Sequence, residues 1–514
     1  MSTDAGLPHA IRRLLYDADL DLEAPYTARI FTNRDLPFER VLAVGFDMDY
    51  TLAIYRQAEL ERLSLETTVA KLRARGYPAE IEAIRADPEF AVRGLMVDKT
   101  FGNVIKMDRH GYVGTAYHGK RMLSRPERKA LYRAQRLGME QERFAPVDTL
   151  FALPEVNLFA EIVDLIDASP ELWNPHAPPT YAKAWTDVRE CIDLSHQDDT
   201  IKGHIMADPS RYFELDPELG STLHKFRSAG KRLFLLTNSF YPYTDAVLTY
   251  LLGGQLSTYE TWHAYFDWII VGSGKPGFFT GQQPYQELDV KGRPIGDPVG
   301  EPRRGRIYQG GNQAGLMASM GIYADEVLYV GDHIYGDIVR SKKSSGWRTA
   351  LIVDDLEHDL EVRRSRRITL DEIEHLSQLQ ITLTDEITAQ RYLARLLAKM
   401  TPADLVRSGA RPEDAEALLD EAKAQIRHRF DRLRKYEEET ADTLARRIAE
   451  IDSAFNKYWG SLFAARKDTS RFGDQVDAYA CVYTSRVTNF RFVSPVKYFH
   501  APHGSLPHWR RSVR

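Results

Sequence analysis

The stretch VGFDMDYTLAIY (44–55) joins an apolar run directly to two carboxylates that stand one residue apart, Asp47 and Asp49. The apolar run is typical of a buried β-strand. Two carboxylates so close together raise each other's pKa and weaken a fold unless a cation lies between them. The pair therefore either lies on an inert loop or holds a metal ion and does chemistry.

Short β-branched runs that end in polar or glycine-rich turns recur along the chain. They are RVLAVGFD (40–47), RLFLLTNS (232–239), WIIVGSGK (268–275), EVLYVGDH (326–333) and RTALIV (348–353). Each is apolar on both faces, as in the central strands of a parallel sheet. Helical patterns lie between several of them, so we predict a doubly wound α/β sheet. Ligands bind such sheets at the carboxyl ends of the strands, where all these polar tails lie.

The first two of these strands are separated by roughly 180 residues, far more than one crossover helix needs. We therefore predict a catalytic core formed by 1–56 and 206–365, with 471–500 packing back on it. An α+β cap domain, 57–205, is expected as an insertion. The segment 277–312 is rich in Gly, Pro and charge and is expected to form a flap or β excursion.

The pattern of apolar and charged residues changes near residue 366. Apolar residues at helical spacing alternate with charges of both signs, which predicts a solvated helical arm over 366–470. A structural arm or an oligomer contact is the expected role of such helices. The basic tail, 501–514, is expected to be loose.

Length, charge and cysteine content limit the classes of protein to which this chain can belong. At 514 residues the chain is too long for one ordinary core, so we expect two or three domains. A net charge of −5 predicts no general attraction to nucleic acid or to an anionic membrane. The two cysteines suit a reducing compartment, and the first twenty residues hold no apolar segment typical of a secretory signal. We expect a soluble cytoplasmic protein.

The polar ends of four strands together supply what phosphoryl transfer requires: a nucleophile, a cation, hydrogen-bond donors and a proton donor. In chain order they are Asp47 and Asp49, then Thr237, Asn238 and Ser239, then Lys275, then Asp332 and Asp337. A lone Asp-x-Asp is weak evidence, whereas four such groups at four strand ends are specific.

These residues resemble a known group of enzymes. DMDYT, LLTNS, the downstream lysine and GDHIYGD resemble the four signature motifs of the haloacid dehalogenase superfamily. FDMDYTLA, TLFALPE, TNSFYPYTD, YQGGN and VGDHIYGDIVRSKKSSGWRT resemble the cytosolic purine 5′-nucleotidase family that prefers IMP and GMP. The resemblance implies a Rossmann-like core and Mg²⁺-dependent hydrolysis of purine nucleoside 5′-monophosphates to nucleoside and phosphate. It also implies a homo-oligomer, a dimer or tetramer.

The resemblance implies a role for each strand-end residue. Asp47 attacks phosphorus and becomes an aspartyl-phosphate, while Asp49 protonates the leaving oxygen and later activates water. Mg²⁺ is held by the Asp47 carboxylate, the Asp49 main-chain carbonyl and Asp332. The remaining implied roles are phosphoryl binding by Thr237 and the amides that follow it (Asn238, Ser239), charge compensation by Lys275, and orientation of Lys275 or a metal-bound water by Asp337.

Five residues of the predicted cap match the family's purine pocket. The resemblance implies that Phe151 stacks on the base, that Arg189 and Asp193 face its polar edge, and that His196 and Lys202 approach ribose and phosphate. Structural alternatives exist: Phe151 as a core residue, Arg189–Asp193 as a surface pair, and His196 as a helix-end cap. Where the family commonly has Asn after the stacking Phe, this chain has Ala152, so the preferred base stays open.

Three other functions are compatible with the sequence. An aspartyl-phosphate can pass to a second nucleoside, which would make the enzyme a phosphotransferase. An inactive nucleotide sensor or scaffold would use the helical arm, although the intact acidic and lysine residues oppose this interpretation. A phosphatase for another small phosphorylated metabolite is the third.

Overall fold

The computed structural model describes residues 24–85, 87–133, 142–174, 179–333, 346–466 and 468–502. Its strands, β1 to β18 in chain order, are Phe31–Thr32, Leu36–Pro37, Ala43–Phe46, Met96–Asp98, Asn103–Met107, Val113–His118, Arg121–Met122, Phe144–Pro146, Arg232–Leu236, Trp268–Val271, Tyr285–Leu288, Arg306–Gly310, Val327–Gly331, Arg348–Ile352, Ala464–Ala465, Asp468–Thr469, Val482–Thr484 and Tyr498–Phe499.

Its α-helices, α1 to α14, are Gln57–Ala74, Arg125–Tyr132, Leu153–Ala168, Tyr181–Gln197, Thr200–Ala207, Pro209–Tyr212, Leu219–Ser228, Tyr241–Leu252, Gln313–Met320, Leu356–Ser365, Arg367–Lys399, Pro402–Arg407, Ala415–Phe455 and Arg471–Tyr479. None of the helices in the described residues is long and apolar enough to cross a bilayer. The predicted loose tail lies almost wholly outside the described residues.

A nine-stranded sheet, in the order β1-β17-β14-β13-β3-β9-β10-β12-β11, organises the fold. Neighbours from β17 to β12 all pair in parallel, and only the edge strands β1 and β11 pair antiparallel. The five predicted strands are β3, β9, β10, β13 and β14, so the prediction of a large, mainly parallel α/β sheet is confirmed. The segment 277–312 contributes β11 and β12 to this same sheet.

The strand order explains why the polar strand ends meet. From β3 the chain continues to β9, β10 and β12 on one side, and it later adds β13 and β14 on the other. The boundary between β3 and β13 is therefore the point at which the strand order reverses. In open α/β sheets, the crevice outside the carboxyl ends of the strands at this point is where ligands bind.

Residues 57–205, the inserted segment between β3 and β9, form a second sheet with its own helices. Its strands run antiparallel in the order β7-β6-β5-β4-β8. Helices α1, α3 and α4 pack on one another in the same segment. The insertion of this segment after the first core strand gives it access to the carboxyl edge of the large sheet.

Residues 359–461 form a compact unit of their own. Helices α11 and α13, of 33 and 41 residues, dominate it. Glu372 pairs with Arg447 at 3.0 Å and Glu386 pairs with Arg429 at 3.3 Å, so the two helices run antiparallel. Such exposed ion pairs each contribute little to stability.

Gly45, in the centre of β3, shapes the core beneath the strand ends. It is paired with Phe234 of β9 on one side and Tyr329 of β13 on the other. The two rings stack with centroids 6.3 Å apart, and a Cβ on Gly45 would overlap the Phe234 ring. The missing side chain thus lets both rings occupy the space over the central strand.

We predict that Gly45→Ala destabilises the protein by about 1–3 kcal/mol, because the added methyl group overpacks a filled core. The thermal midpoint measured by calorimetry should fall by several degrees. The matched control is Gly300→Ala, at an exposed glycine whose Cβ would meet no atom within 4 Å. Equal midpoints for the two variants would contradict the role assigned to Gly45.

Candidate active site

The strand ends of β3, β9 and β13 surround one cavity of about 380 Å³. This volume lies within the range of small-molecule sites. The cavity is lined by Asp47, Asp49, Tyr55, Leu60, Thr149, Phe151, Ala152, Glu155, Arg189, Ile192, Asp193, His196, Ile201, Lys202, Ile205, Asn238, Ser239, Tyr243, Asp332 and His333. Most residues of both predicted groups, from the strand ends and from the purine pocket, therefore face a shared space, whereas Thr237 and Lys275 are not among the lining residues.

An ion pair joins two of the strand ends. Lys275 Nζ lies 2.9 Å from Asp47 Oδ2, and the side chains are only 4% and 13% exposed. The other oxygen, Asp47 Oδ1, accepts from the Met48 main-chain N–H at 2.8 Å. Lys275 Nζ also donates to the Tyr329 hydroxyl at 2.9 Å, which ties the pair to the ring that packs beside Gly45.

Asn238 holds the Lys275 loop in place. Its Oδ1 accepts from the Lys275 main-chain N–H at 2.7 Å and its Nδ2 donates to the Lys275 carbonyl at 3.0 Å. Thr237 is fully buried, and its hydroxyl accepts from the Ser239 N–H at 3.1 Å. Thr237 therefore shapes the turn after β9, whereas Asn238 and Ser239 reach the cavity wall.

Asp49 is half-buried and bonded to two hydroxyls. Tyr55 donates to Oδ1 at 2.6 Å and Ser239 donates to Oδ2 at 2.8 Å. Burial raises the pKa of Asp49, and these two hydrogen bonds oppose the rise. Because a hydroxyl both donates and accepts, each partner can stay bonded whether or not Asp49 carries a proton. Tyr55 was part of the opening motif, but nothing in the sequence assigned it to Asp49.

Asp332 follows β13 and is 5% exposed. Its main-chain carbonyl accepts from Arg93 Nη1 at 3.4 Å, and Arg93 Nη2 pairs with Asp355 at 2.9 Å. Arg93 is a buried cation from the inserted segment, and no motif pointed to it. Asp337 lies outside the described residues.

The donor set fits a magnesium ion. Asp47 and Asp332 come from adjacent strands and line the same cavity, and oxygen atoms are the ligands that Mg²⁺ prefers. Over the described ranges, no three His, Cys, Asp or Glu side chains form a metal-binding group. Main-chain oxygen, substrate and water can serve as further ligands of a Mg²⁺ ion.

Aromatic side chains form one wall of the cavity. Phe151 meets the Tyr55 ring edge-on at 5.6 Å and the His196 ring at 6.0 Å. Burial, followed by the charge of Lys202, lowers the pKa of His196. Lys202 Nζ lies 5.8 Å from the centre of the Tyr243 ring. His196 thus presents a mainly neutral ring beside Phe151.

Arg189 lies between two carboxylates. It pairs with Asp193 at 3.5 Å, the surface pair expected from their spacing, and also with Glu155 at 3.1 Å. Glu155 closes the motif TLFALPE and was given no role from the sequence. It is 4% exposed, and burial raises its pKa to about 7. Only the packing of α3 against α4 shows that this carboxyl group faces the guanidinium.

We predict that Glu155 makes stability fall as pH rises from about 4.5 to 7. Between these values the folded protein holds a proton that the unfolded chain releases, so the unfolding free energy decreases with pH. Glu155→Gln should remove a decrease on the order of 3 kcal/mol, measured by urea unfolding from pH 5 to pH 8. The control is Glu190→Gln, at an exposed position on α4. Parallel curves for wild type and Glu155→Gln would contradict this assignment.

Comparison with known proteins gives the family. A model of the 5′ nucleotidase family matches residues 30–511. A 5′-nucleotidase domain-containing protein of Dictyostelium discoideum is 28% identical over 467 residues, which are 90% of this chain and 71% of that protein.

Two solved structures are less similar to this chain than the Dictyostelium protein is. A predicted phosphoglycolate phosphatase from Haemophilus somnus is 12% identical with a TM-score of 0.27, over 61% of this chain and 86% of that one. CbbY from Rhodobacter sphaeroides, in complex with phosphate, is 15% identical with a TM-score of 0.23 over the same shares. No conclusion rests on these two. The match across nearly the whole sequence is decisive: the chain belongs to the 5′ nucleotidase family and is a phosphoric monoester hydrolase.

Proposed function

We propose that the enzyme is a Mg²⁺-dependent 5′-nucleotidase that hydrolyses purine nucleoside 5′-monophosphates, of the GMP and IMP type, through an aspartyl-phosphate. The observation that carries the proposal is the ion pair between Lys275 Nζ and Asp47 Oδ2, 2.9 Å apart, beside a cavity that Phe151 also lines. A nucleophile with its compensating cation and an aromatic surface for a base are thus within reach of a single ligand.

The reaction has two steps. In the first, an Asp47 oxygen attacks phosphorus, the bond from phosphorus to the ribose O5′ breaks, and Asp49 donates a proton to O5′. In the second, Asp49 accepts a proton from a water molecule, the water oxygen attacks phosphorus, and the bond to Asp47 breaks. One water is consumed, nucleoside and phosphate leave, and both aspartates return to their first state.

Each partner of the two aspartates has a defined contribution. Lys275 offsets charge on Asp47 and on the phosphoryl oxygens, and Asn238 keeps the lysine loop in position. Tyr55 and Ser239 orient the Asp49 carboxyl group in both of its protonation states. Mg²⁺, when bound by Asp47, Asp332 and the Asp49 carbonyl, would neutralise charge on the phosphoryl group.

The inserted segment supplies the purine site. We assign Phe151 to stacking, and Arg189 with Asp193 and Glu155 to the polar edge of the base. His196 and Lys202 line the same cavity and would approach the ribose and phosphate. Ala152 offers no polar side chain there, so base selection falls to the three charged residues.

The enzyme is further proposed to work in the cytoplasm. Cys191 and Cys481 are both free and buried, which suits a reducing compartment. The expectation of a homo-oligomer rests on the family resemblance alone. Transfer of the phosphoryl group to a second nucleoside remains compatible with the same intermediate.

We predict that Asp47→Asn lowers turnover of GMP by at least about 10³-fold, because an amide cannot attack phosphorus. Phosphate release should be measured on GMP, IMP, AMP, UMP and ribose 5-phosphate, with and without Mg²⁺. GMP or IMP should be the best substrate of the wild type. Asp431→Asn, at an exposed position on α13, is the control and should retain full activity. Retained turnover in Asp47→Asn would remove Asp47 from the nucleophile's role.

We predict that Phe151→Ala raises KM for GMP about tenfold with little change in kcat, because one base–aromatic stack is lost. Hydrolysis of ribose 5-phosphate, which lacks a base, should change less than about twofold. Phe101→Ala, at a partly exposed position outside the cavity, controls for loss of an aromatic ring. Equal losses on both substrates would show that Phe151 supports the fold and does not contact the base.

A further inference from the structure

Tyr50 adopts a backbone conformation that its side chain disfavours. Its φ angle is 52°, and besides it only Asp199 and Arg466 among the described non-glycine residues have a positive φ. The chain reverses here, with the amides of Thr51 and Ala53 both bonding to the Met48 carbonyl. Glycine would adopt this left-handed conformation without the clash that a Cβ causes. The contacts of the tyrosine ring therefore explain why a tyrosine, and not a glycine, occupies this position.

The ring lies behind the cavity wall. Tyr50 is 4% exposed and is not among the residues that line the cavity. Its ring centroid lies 4.8 Å from that of Phe151, edge-on at 72°, and 4.6 Å from that of Tyr55. Tyr50 thus contacts the ring assigned to the base and the tyrosine that bonds to Asp49.

The Tyr50 hydroxyl is anchored by a series of largely buried side-chain hydrogen bonds. Its hydroxyl donates to Gln57 Oε1 at 2.8 Å, and Gln57 Nε2 donates to Glu61 at 2.8 Å. Asn157 Nδ2 donates to the other Glu61 oxygen at 3.3 Å. Gln57 and Glu61 belong to α1, and Asn157 belongs to α3, which begins two residues after Phe151. The Tyr50 hydroxyl is thereby linked to the helix that follows Phe151.

We propose that Tyr50 is a specificity-determining residue: it fixes the Phe151 ring relative to the loop that carries Asp47 and Asp49, and so favours phosphate esters that bear a nucleobase. The inference rests on the proposed function, in which Phe151 stacks on the base. Tyr50 acts through Phe151 and is a positioning residue. Its loss should weaken recognition of the base and leave recognition of the phosphate unchanged.

The test measures binding to Asp47→Asn protein, so that no turnover intervenes. Titration calorimetry gives Kd for GMP and for orthophosphate, in the presence of Mg²⁺, with and without Tyr50→Gly. Glycine removes the ring and also relieves the backbone, so the variant should fold, and its thermal midpoint reports this. We expect Kd for GMP to rise about tenfold and Kd for orthophosphate to stay within about twofold, as for the loss of one stack.

Two further variants separate the ring from the backbone. Tyr50→Phe keeps the ring and loses the bond to Gln57, so Kd for GMP should rise by only about two- to fivefold, the cost of one neutral hydrogen bond. Arg466→Gly relaxes an equally positive φ of 59° outside the cavity and should change neither Kd.

Each outcome is decisive. Equal weakening of GMP and orthophosphate in Tyr50→Gly, or no change in either, overturns the proposal for Tyr50. If Phe151→Ala weakens GMP binding while Tyr50→Gly does not, the inference fails and the proposed function stands. If Phe151→Ala also has no effect, and GMP binds no better than ribose 5-phosphate, the purine assignment itself is wrong.

Discussion

The ion pair between Lys275 and Asp47 is the interaction on which the rest of the site depends. Three aspartates, Asp47, Asp49 and Asp332, lie at one edge of the sheet, where their mutual repulsion and burial would otherwise be costly. Lys275 is 4% exposed, and Asn238 and Tyr329 also bond to it. Loss of either partner of such a buried pair leaves an uncompensated charge, which costs far more than an exposed pair contributes. The site therefore requires the cation even in the absence of substrate.

The core beneath the Lys275–Asp47 ion pair holds the lysine side chain in position. Gly45 leaves room for Phe234 and Tyr329 to stack over the central strand, and the Tyr329 hydroxyl then reaches Lys275 while it donates to the Leu236 carbonyl at 3.1 Å. Close packing makes this arrangement rigid, because neighbouring side chains cannot move independently. A glycine in a strand interior is thus connected by two rings and one hydroxyl to Lys275.

Hydroxyl groups can stay bonded to Asp49 in either of its protonation states. The proposed mechanism requires Asp49 to donate a proton in one step and accept one in the next, and both of its oxygens are bonded to hydroxyls. The Tyr55 hydroxyl also lies 2.8 Å from that of Tyr243, so the same ring is fixed at its tip as well as by Phe151 and Tyr50. Residues on the core loop and in the inserted segment therefore share one aromatic cluster. In the proposed function, recognition of the base and orientation of Asp49 therefore use the same side chains.

The sequence by itself determined the sheet and the acidic strand ends. Short apolar runs that end in Asp, Thr-Asn-Ser, Lys and Asp are best accommodated side by side in one parallel sheet, because parallel strands place their carboxyl ends at one edge. That logic predicted the strands β3, β9, β10, β13 and β14 and placed Asp47, Asp49, Lys275 and Asp332 together. What only the tertiary structure decided were the contacts between segments far apart in the chain. Glu155 against Arg189, Arg93 against Asp332, and Tyr329 against Lys275 depend on how helices and strands pack, and no local periodicity encodes such pairings. The αL conformation of Tyr50 belongs to the same class, since the turn that imposes it is stabilised by the fold and not by the preference of a tyrosine.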